Sequence, residues 1–276
     1  MTDRPAPRGP HGGLLAAEWA RPAPPATREA LARYAGALLG RVALVTGAGS
    51  GIGRATSLAL AAAGADVALV GRRREPLEEV AAFIAGLGRR PAVLPVDVAD
   101  APALDAAVGR AAAVLGPASI AVAAAGVNAW ADLDALDPAT LRAALATNVE
   151  GIANLARSAV PAMRAAGSGK LVVIASDNGR RPEAGGAGYV ASKFGAVGLA
   201  LSLSQELHAA SISVHVVEPG CVNTPWYPSG EDAPRERMLH PDDVALAVLF
   251  LATLPEHIVL EELLLVPRDL LVHPWA

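Results

Sequence analysis

A chain of 276 residues with 53% hydrophobic side chains carries enough apolar surface for a sizeable core, which excludes disorder along its whole length. A net charge of −4 gives no general pull toward nucleic acid or an anionic membrane, and a small molecule is the expected partner. The single cysteine, Cys221, excludes an internal disulfide and reads as a small buried hydrophobe in a reducing compartment.

Residues 1–40 hold six prolines and five glycines, with apolar periodicity only between Ala26 and Leu39. They read as a Pro/Ala/Gly-rich N-terminal extension with one short helix. The apolar run Leu14 to Ala17 is far too short for the core of a secretion signal, so a cytoplasmic location is expected. From Arg41 the texture changes, and 41–276 reads as a single domain in which strand-like and helix-like segments alternate. The strand candidates are 41–46, 66–70, 92–96, 119–124, 170–175, 212–217 and 262–266; helical spacing covers 52–63, 75–87, 101–115, 138–166, 188–209 and 241–253. Pro102 after Asp100, Pro138 after Asp137 and Pro241 before Asp242 mark helix starts. The strand segments are near-continuous apolar runs, as expected where helices cover both faces of a parallel sheet. The predicted fold is therefore α/β, a doubly wound Rossmann-type parallel sheet of about seven strands. The apolar stretch Val244 to Leu254 stops at Pro255, about half the length needed to span a bilayer, and reads as a buried helix.

The stretch "VTGAGSGIGRA" sets Gly47, Gly51 and Gly53 between the first strand and its helix, where backbone amides can meet a pyrophosphate. Such turns also serve tight packing alone. Ile52 stands where the general dinucleotide fingerprint has its third glycine. About twenty residues on, "LVGRRRE" ends the second strand with Gly71 and Arg72, where a carboxylate would hold the ribose hydroxyl of NAD. A guanidinium there favours NADP(H) over NAD(H); alternatively, Arg72, Arg73 and Arg74 form a solvated helix start.

In "GAGYVASKFG" Lys193 follows Tyr189 by four residues, which places both on one helix face. A nearby ammonium favours the phenolate, so the pair reads as a proton donor and its tuner. Taken alone, a Tyr and a Lys at this spacing are a common surface pair.

"TGAGSGIG", "YVASK", Ser176 thirteen residues before Tyr189, "TNVEG" with Asn148, and "EPGCVNT" at 218–224 together resemble the short-chain dehydrogenase/reductase family, over about residues 41 to 267. The resemblance implies that Tyr189 exchanges a proton with the substrate oxygen and that Ser176 hydrogen-bonds the same oxygen. It implies that Lys193 holds the nicotinamide ribose and acidifies the phenol, and that Asn148 holds a water in the proton relay. It assigns cofactor contacts to Gly47, Ser50, Gly51, Ile52 and Gly53, to Asp97 and Val98 in "PVDVAD", to Ala125 and Gly126, and to Pro219, Gly220, Val222 and Thr224. Where the family usually has Asn-Asn-Ala-Gly, this chain reads Ala123, Ala124, Ala125 and Gly126, which puts support of the central strand in question.

Trp130 and Trp226 fall in loops after the fourth and sixth strands and point to an apolar or ring-containing carbonyl or alcohol substrate, unless they only pack. Arg180 and Arg181 could instead meet a substrate carboxylate. Residues between Pro225 and His240 read as a mobile lid. A second apolar stripe on the helices at 148–166 and 188–209 predicts a homodimer or homotetramer, as the resemblance also implies. An NADP(H)-dependent carbonyl reductase or alcohol dehydrogenase is the leading expectation; the alternative is a catalytically silent nucleotide-sensing protein of the same fold.

Overall fold

The structure, a computed structural model, describes residues 23–227 and 235–268. Seven parallel strands make one sheet: Val42–Thr46 (β1), Asp66–Gly71 (β2), Pro91–Pro95 (β3), Ile120–Ala123 (β4), Gly169–Ile174 (β5), Ile212–Pro219 (β6) and Glu262–Leu265 (β7). Their order across the sheet is β3-β2-β1-β4-β5-β6-β7. The chain reverses its direction of travel between β1 and β4, and the crevice at their carboxyl ends is where such sheets bind ligands. Every position of β1, β4, β5 and β6 is buried, which is why these segments read as near-continuous apolar runs rather than alternating ones, with Lys170, Ser213, His215 and Glu218 as the charged or polar exceptions in β5 and β6.

Helices cover both faces and divide the core into two layers. Ala101–Leu115 (α4), Gly151–Ala166 (α6) and Ala187–Leu207 (α7) bury Leu104, Leu155, Met163 and Ala200 against one face. Gly51–Ala62 (α2), Arg74–Gly86 (α3) and Pro241–Thr253 (α8) bury Leu60, Leu77, Ile84 and Val248 on the other. The predicted starts behave as expected: Asp100 caps α4 by accepting from the Ala103 amide at 3.0 Å, and Asp137 accepts from Thr140 at 3.1 Å.

Two findings depart from the pattern reading. The helix expected over 138–166 is interrupted: Pro138–Leu145 (α5) passes into a π turn at Ala146–Glu150 before α6 begins, and the Gly151 amide donates five residues back to Ala146. The composition of the N-terminal extension also hides its packing. Pro25–Ala32 (α1) lies against α8, with the Thr27 hydroxyl donating to Asp243 at 2.6 Å and Leu31, Tyr34 and Leu38 joining the core. Residues 1–22 of the extension, 228–234 of the predicted lid and 269–276 lie outside the described residues.

Candidate active site

The cleft opens at the carboxyl ends of β1, β2 and β3, and its walls are the loops the glycine pattern singles out. Gly47, Gly49, Ser50, Gly71, Arg72, Asp97, Val98, Ala125, Gly126 and Thr147 line it. Gly47 adopts φ +66°, and a Cβ there would stand 2.7 Å from the Ala124 carbonyl oxygen; at Gly53 a Cβ would fall 2.3 Å from the Gly47 oxygen. Only glycine lets the turn fold back this tightly between β1 and α2. Ser50 caps α2 without a side-chain bond, and first-turn amides, including those of Gly51, Ile52 and Gly53, lack intrahelical carbonyl partners. They offer donors to an anion at a positive helix end.

The rest of the cleft is held by contacts that no local pattern announces. The Thr46 hydroxyl accepts from the Ala124 and Ala125 amides at 3.0 and 3.1 Å. It thereby fixes the turn whose asparagines are missing, and β4 stays paired with β1 and β5. Asn154 donates to the Val98 carbonyl at 2.9 Å, and the Asp97 carboxylate accepts from Ala99 at 2.9 Å. Glycines, first-turn helix amides, Asp97 and Arg72 line one cleft, a set of donors and charges that suits a phosphate-bearing nucleotide.

At the inner end of the cleft the predicted tetrad comes together. The π turn aims Asn148, 1% exposed, at Val127: its amide donates to the Val127 carbonyl at 2.9 Å and its oxygen accepts from the Val127 amide at 2.8 Å. Asn148 also donates to Ser192 at 2.9 Å, and the Ser192 hydroxyl donates to the Tyr189 carbonyl at 2.6 Å. A Cβ on Gly126 would lie 3.5 Å from the Asn148 oxygen and 3.9 Å from Lys193 Nζ, so the cleft floor abuts both side chains. Lys193 is buried, donates to the Ile174 carbonyl at 3.2 Å, and holds Nζ 5.6 Å from the centre of the Tyr189 ring. Ser176 stands two residues past the end of β5, and its hydroxyl is close enough to the Tyr189 phenol to lower its pKa.

The electrostatics differ from the simple tuning expected of an ammonium one turn away. Burial pushes the Tyr189 phenol up to about 12, the Ser176 hydrogen bond pulls it partly back, and the Asp177 carboxylate raises it. Burial also weakens the would-be tuner, lowering the Lys193 ammonium to about 8. Desolvation of both groups therefore outweighs their attraction in this arrangement.

Trp130 and Trp226 both reach the same phenol: their ring centres lie 6.0 and 5.3 Å from that of Tyr189. Thr224 meets the glycine loop, its methyl 3.3 Å from where a Gly51 Cβ would be. Pro219 ends β6, the Gly220 amide donates to Leu265 at 2.7 Å, and Val222 is buried against Leu239; these three stand apart from the glycine-lined cleft. The Arg235 guanidinium donates to Asn223 at 2.9 Å and to the Tyr227 carbonyl at 2.6 Å, pinning the segment that carries Trp226. Arg180 is not available to a substrate carboxylate, because it bonds Glu218 at 3.0 and 3.1 Å and pairs with Glu262.

A model of the short chain dehydrogenase family matches residues 41–233. The chain belongs to the short-chain dehydrogenase family. This short-chain dehydrogenase is 35% identical over 243 residues to a glycine betaine reductase of Emericella nidulans, and the match takes in 85% of the chain but only 19% of that longer protein. It is 36% identical to a cis-4-hydroxycyclohexanecarboxylate dehydrogenase of Sinomonas cyclohexanicum, over 77% of the chain and 89% of that enzyme. A metagenomic short-chain oxidoreductase solved with NADP superposes at a TM-score of 0.74 with 34% identity, covering 84% of this chain and 98% of the other. The protein is thus an oxidoreductase of a family that uses nicotinamide cofactors. Among the described residues no helix is long and apolar enough to cross a membrane, and no cluster of metal-binding side chains occurs.

Proposed function

We propose that the protein is an NADP(H)-preferring carbonyl reductase or alcohol dehydrogenase in which Tyr189 exchanges the proton. The observation that carries this reading is the convergence of the Tyr189 phenol, the Ser176 hydroxyl and the Lys193 ammonium beside a glycine-lined cleft. When bound in that cleft, the nicotinamide supplies or accepts the hydride. The protein must then manage the charge that appears on the substrate oxygen. Ser176 donates a hydrogen bond to that oxygen and Tyr189 delivers the phenolic proton during reduction; in oxidation the proton moves the other way.

Lys193 holds the ribose hydroxyls and, drawn toward them, faces the phenolate that proton transfer leaves. Asn148, locked to Val127 and Ser192, keeps the turn at Gly126 in place and offers its polar edge to a relay water. Gly47, Ser50, Gly51, Ile52 and Gly53 receive the pyrophosphate, Asp97 and Val98 border the adenine, and Ala125 and Gly126 let the cofactor pass. Thr224, beside Gly51, borders its nicotinamide end, and Pro219, Gly220 and Val222 carry the segment that brings Thr224 there. The absence of a carboxylate at Gly71 and the presence of Arg72 in the cleft support NADP(H) over NAD(H). Trp130 and Trp226 bound the substrate side.

The test is NADPH consumption against a panel of aldehydes and ketones, in wild type and Tyr189→Phe. The variant keeps the ring and loses the proton, so kcat should fall at least about a hundredfold with NADPH affinity nearly unchanged. A variant retaining more than about a tenth of wild-type kcat removes Tyr189 from the acid role.

A homo-oligomer fits the exposed surface of α7, where Phe194 is 45% accessible amid small residues. Light scattering at micromolar concentration should give a dimer or tetramer, and a monomeric mass would refute it.

A further inference from the structure

Residues 23–38 lie ahead of the segment that the family model matches, and the chemistry described so far gives them no part. Their packing nevertheless leads to the active site. α1 rests on two helices at once: Leu31 packs against Ala55 and Ala59 of α2, which starts at the glycine loop, and against Ala245 of α8, which starts where the Trp226 segment ends. The stretch is held at both ends. The Leu38 amide donates to the Ala63 carbonyl past the end of α2 at 2.8 Å, and Thr27, only 8% exposed, donates its hydroxyl to Asp243 in the first turn of α8 at 2.6 Å. A hydroxyl bond to a carboxylate at that length is charge-assisted and strong.

Asp243 spends its two oxygens on two distant parts of the chain. One accepts from Thr27 and the other from the His240 amide at 2.7 Å, so the carboxylate that closes the cap of α8 is itself steadied by the extension. The neighbouring Leu239 exchanges backbone hydrogen bonds with Cys221 and Asn223 at 3.0 and 2.8 Å, around the buried Val222. Thr224 and Trp226 follow at once: the Thr224 hydroxyl accepts from the Trp226 amide at 3.3 Å, and the Trp226 ring centre lies 5.3 Å from that of Tyr189. An unbroken run of contacts therefore joins Thr27 to the phenol. The body of α8 does not need it, because Val244, Val248 and Leu251 bury that helix by themselves.

We propose that Thr27 is a positioning residue of the active site: through Asp243 and the cap of α8 it fixes residues 221–227, and with them the indole of Trp226 that walls the substrate side beside Tyr189. The N-terminal extension thus belongs to the frame of the pocket. The inference rests on the oxidoreductase reading for its kinetic consequence alone, since the placement of Trp226 is measurable without turnover.

The experiment labels the whole protein with fluorotryptophan and compares the fluorine spectra of wild type, Thr27→Val, Thr27→Ser and Asp243→Asn. The Trp226 line is identified by its loss in Trp226→Phe. Thr27→Val keeps the shape and removes the donor, so it should move the Trp226 line toward its position in the denatured chain, while the Trp130 line, from the loop after β4, holds. Thr27→Ser should restore it. Asp243→Asn should move the line the same way, and the double variant no further than the larger single, because both changes act through one contact. With any carbonyl the protein reduces, Thr27→Val should raise KM about threefold to tenfold with kcat within about twofold, because Tyr189 and Lys193 are carried by α7 and Ser176 by the loop after β5.

A Trp226 line unmoved in Thr27→Val, whether or not Tm falls, would reduce the contact to a stability role and overturn the proposal. So would a serine variant as displaced as the valine one, shifts that add in the double variant, or a displaced Trp226 with KM unchanged. If Thr27→Val does not fold, Asp243→Asn decides, and an unmoved Trp226 line there overturns the proposal equally. Turnover separates the two readings: normal reduction with Trp226 unmoved leaves the oxidoreductase standing, whereas a displaced Trp226 with no NADPH oxidation on any carbonyl removes the oxidoreductase reading and, with it, the kinetic role of Thr27.

Discussion

Replacing Thr46 by valine would remove one oxygen and little else, which makes it a sharp test of how the altered turn after β4 is held. The hydroxyl is 2% exposed and accepts from two amides, those of Ala124 and Ala125, at 3.0 and 3.1 Å. Its own donation, to the Val122 carbonyl, is long at 3.4 Å and contributes little. An amide left unsatisfied costs about 1–3 kcal/mol when fully buried; Ala124 and Ala125 are half-buried, so the pair together should cost about 2 kcal/mol. That corresponds to a fall in Tm of about 4–8 °C for a chain of this size. Urea and thermal unfolding at fixed protein concentration measure it, because self-association would otherwise shift the result. Since Ala125 and Gly126 line the cleft, NADPH affinity should weaken in the same variant. Thr46→Ser keeps the oxygen and should stay within about 1 kcal/mol of wild type. If valine is within about 0.5 kcal/mol of wild type, or if serine is as damaging as valine, the hydroxyl does not hold this turn.

Gly71→Asp with Arg72→Val should reverse the cofactor preference, by supplying an acceptor for a ribose hydroxyl and deleting the donor to a ribose phosphate; equal kcat/KM for NADPH and NADH in wild type would refute the basis. With the Lys193 ammonium lowered to about 8 by burial, its charge is present below that value and lost as pH rises through it. The free-enzyme profile of kcat/KM should accordingly decline above about pH 8, and Lys193→Arg, which keeps its charge, should remove that limb whatever its effect on rate. A profile flat to about pH 10 in the wild-type enzyme would show that this ammonium is not needed.

Strands were legible because burial on both faces makes the central ones mostly apolar, as in "VALVT", and each observed strand lies within about two residues of its expected bounds. Asn148, Ser176, Tyr189 and Lys193 stood out as candidates because they sit in short motifs at fixed spacing, and the structure sets them near one another. What escaped were contacts between ordinary residues far apart in the chain. Thr27 and Asp243 are 216 residues apart, Thr46 and Ala124 78, and Asn148 and Ser192 44. Serine, threonine and asparagine are common everywhere, so only the fold reveals which of them meet. The tuning of Tyr189 also lay beyond the sequence, because spacing shows a neighbour's charge but not how much water both groups have lost.

The π turn at Ala146–Glu150 has a further consequence, for tolerance to length change rather than to substitution. It contains one residue more than a regular helix would use for the same rise, and each residue of an α-helix turns its neighbours by about 100°. Asn148 within the turn and the apolar stripe of Ile152, Leu155, Ala159 and Met163 after it are therefore held in two different angular phases, each matched to its own target. Deleting a single residue within 146–150 would let the two helices fuse and would force a choice between them. If the stripe stays on the sheet, Asn148 swings away from Val127; if Asn148 stays, α6 shows its polar side to the core. The segment behaves as a spacer of fixed count, one where a shortened chain fails even though nearly every side chain in it survives.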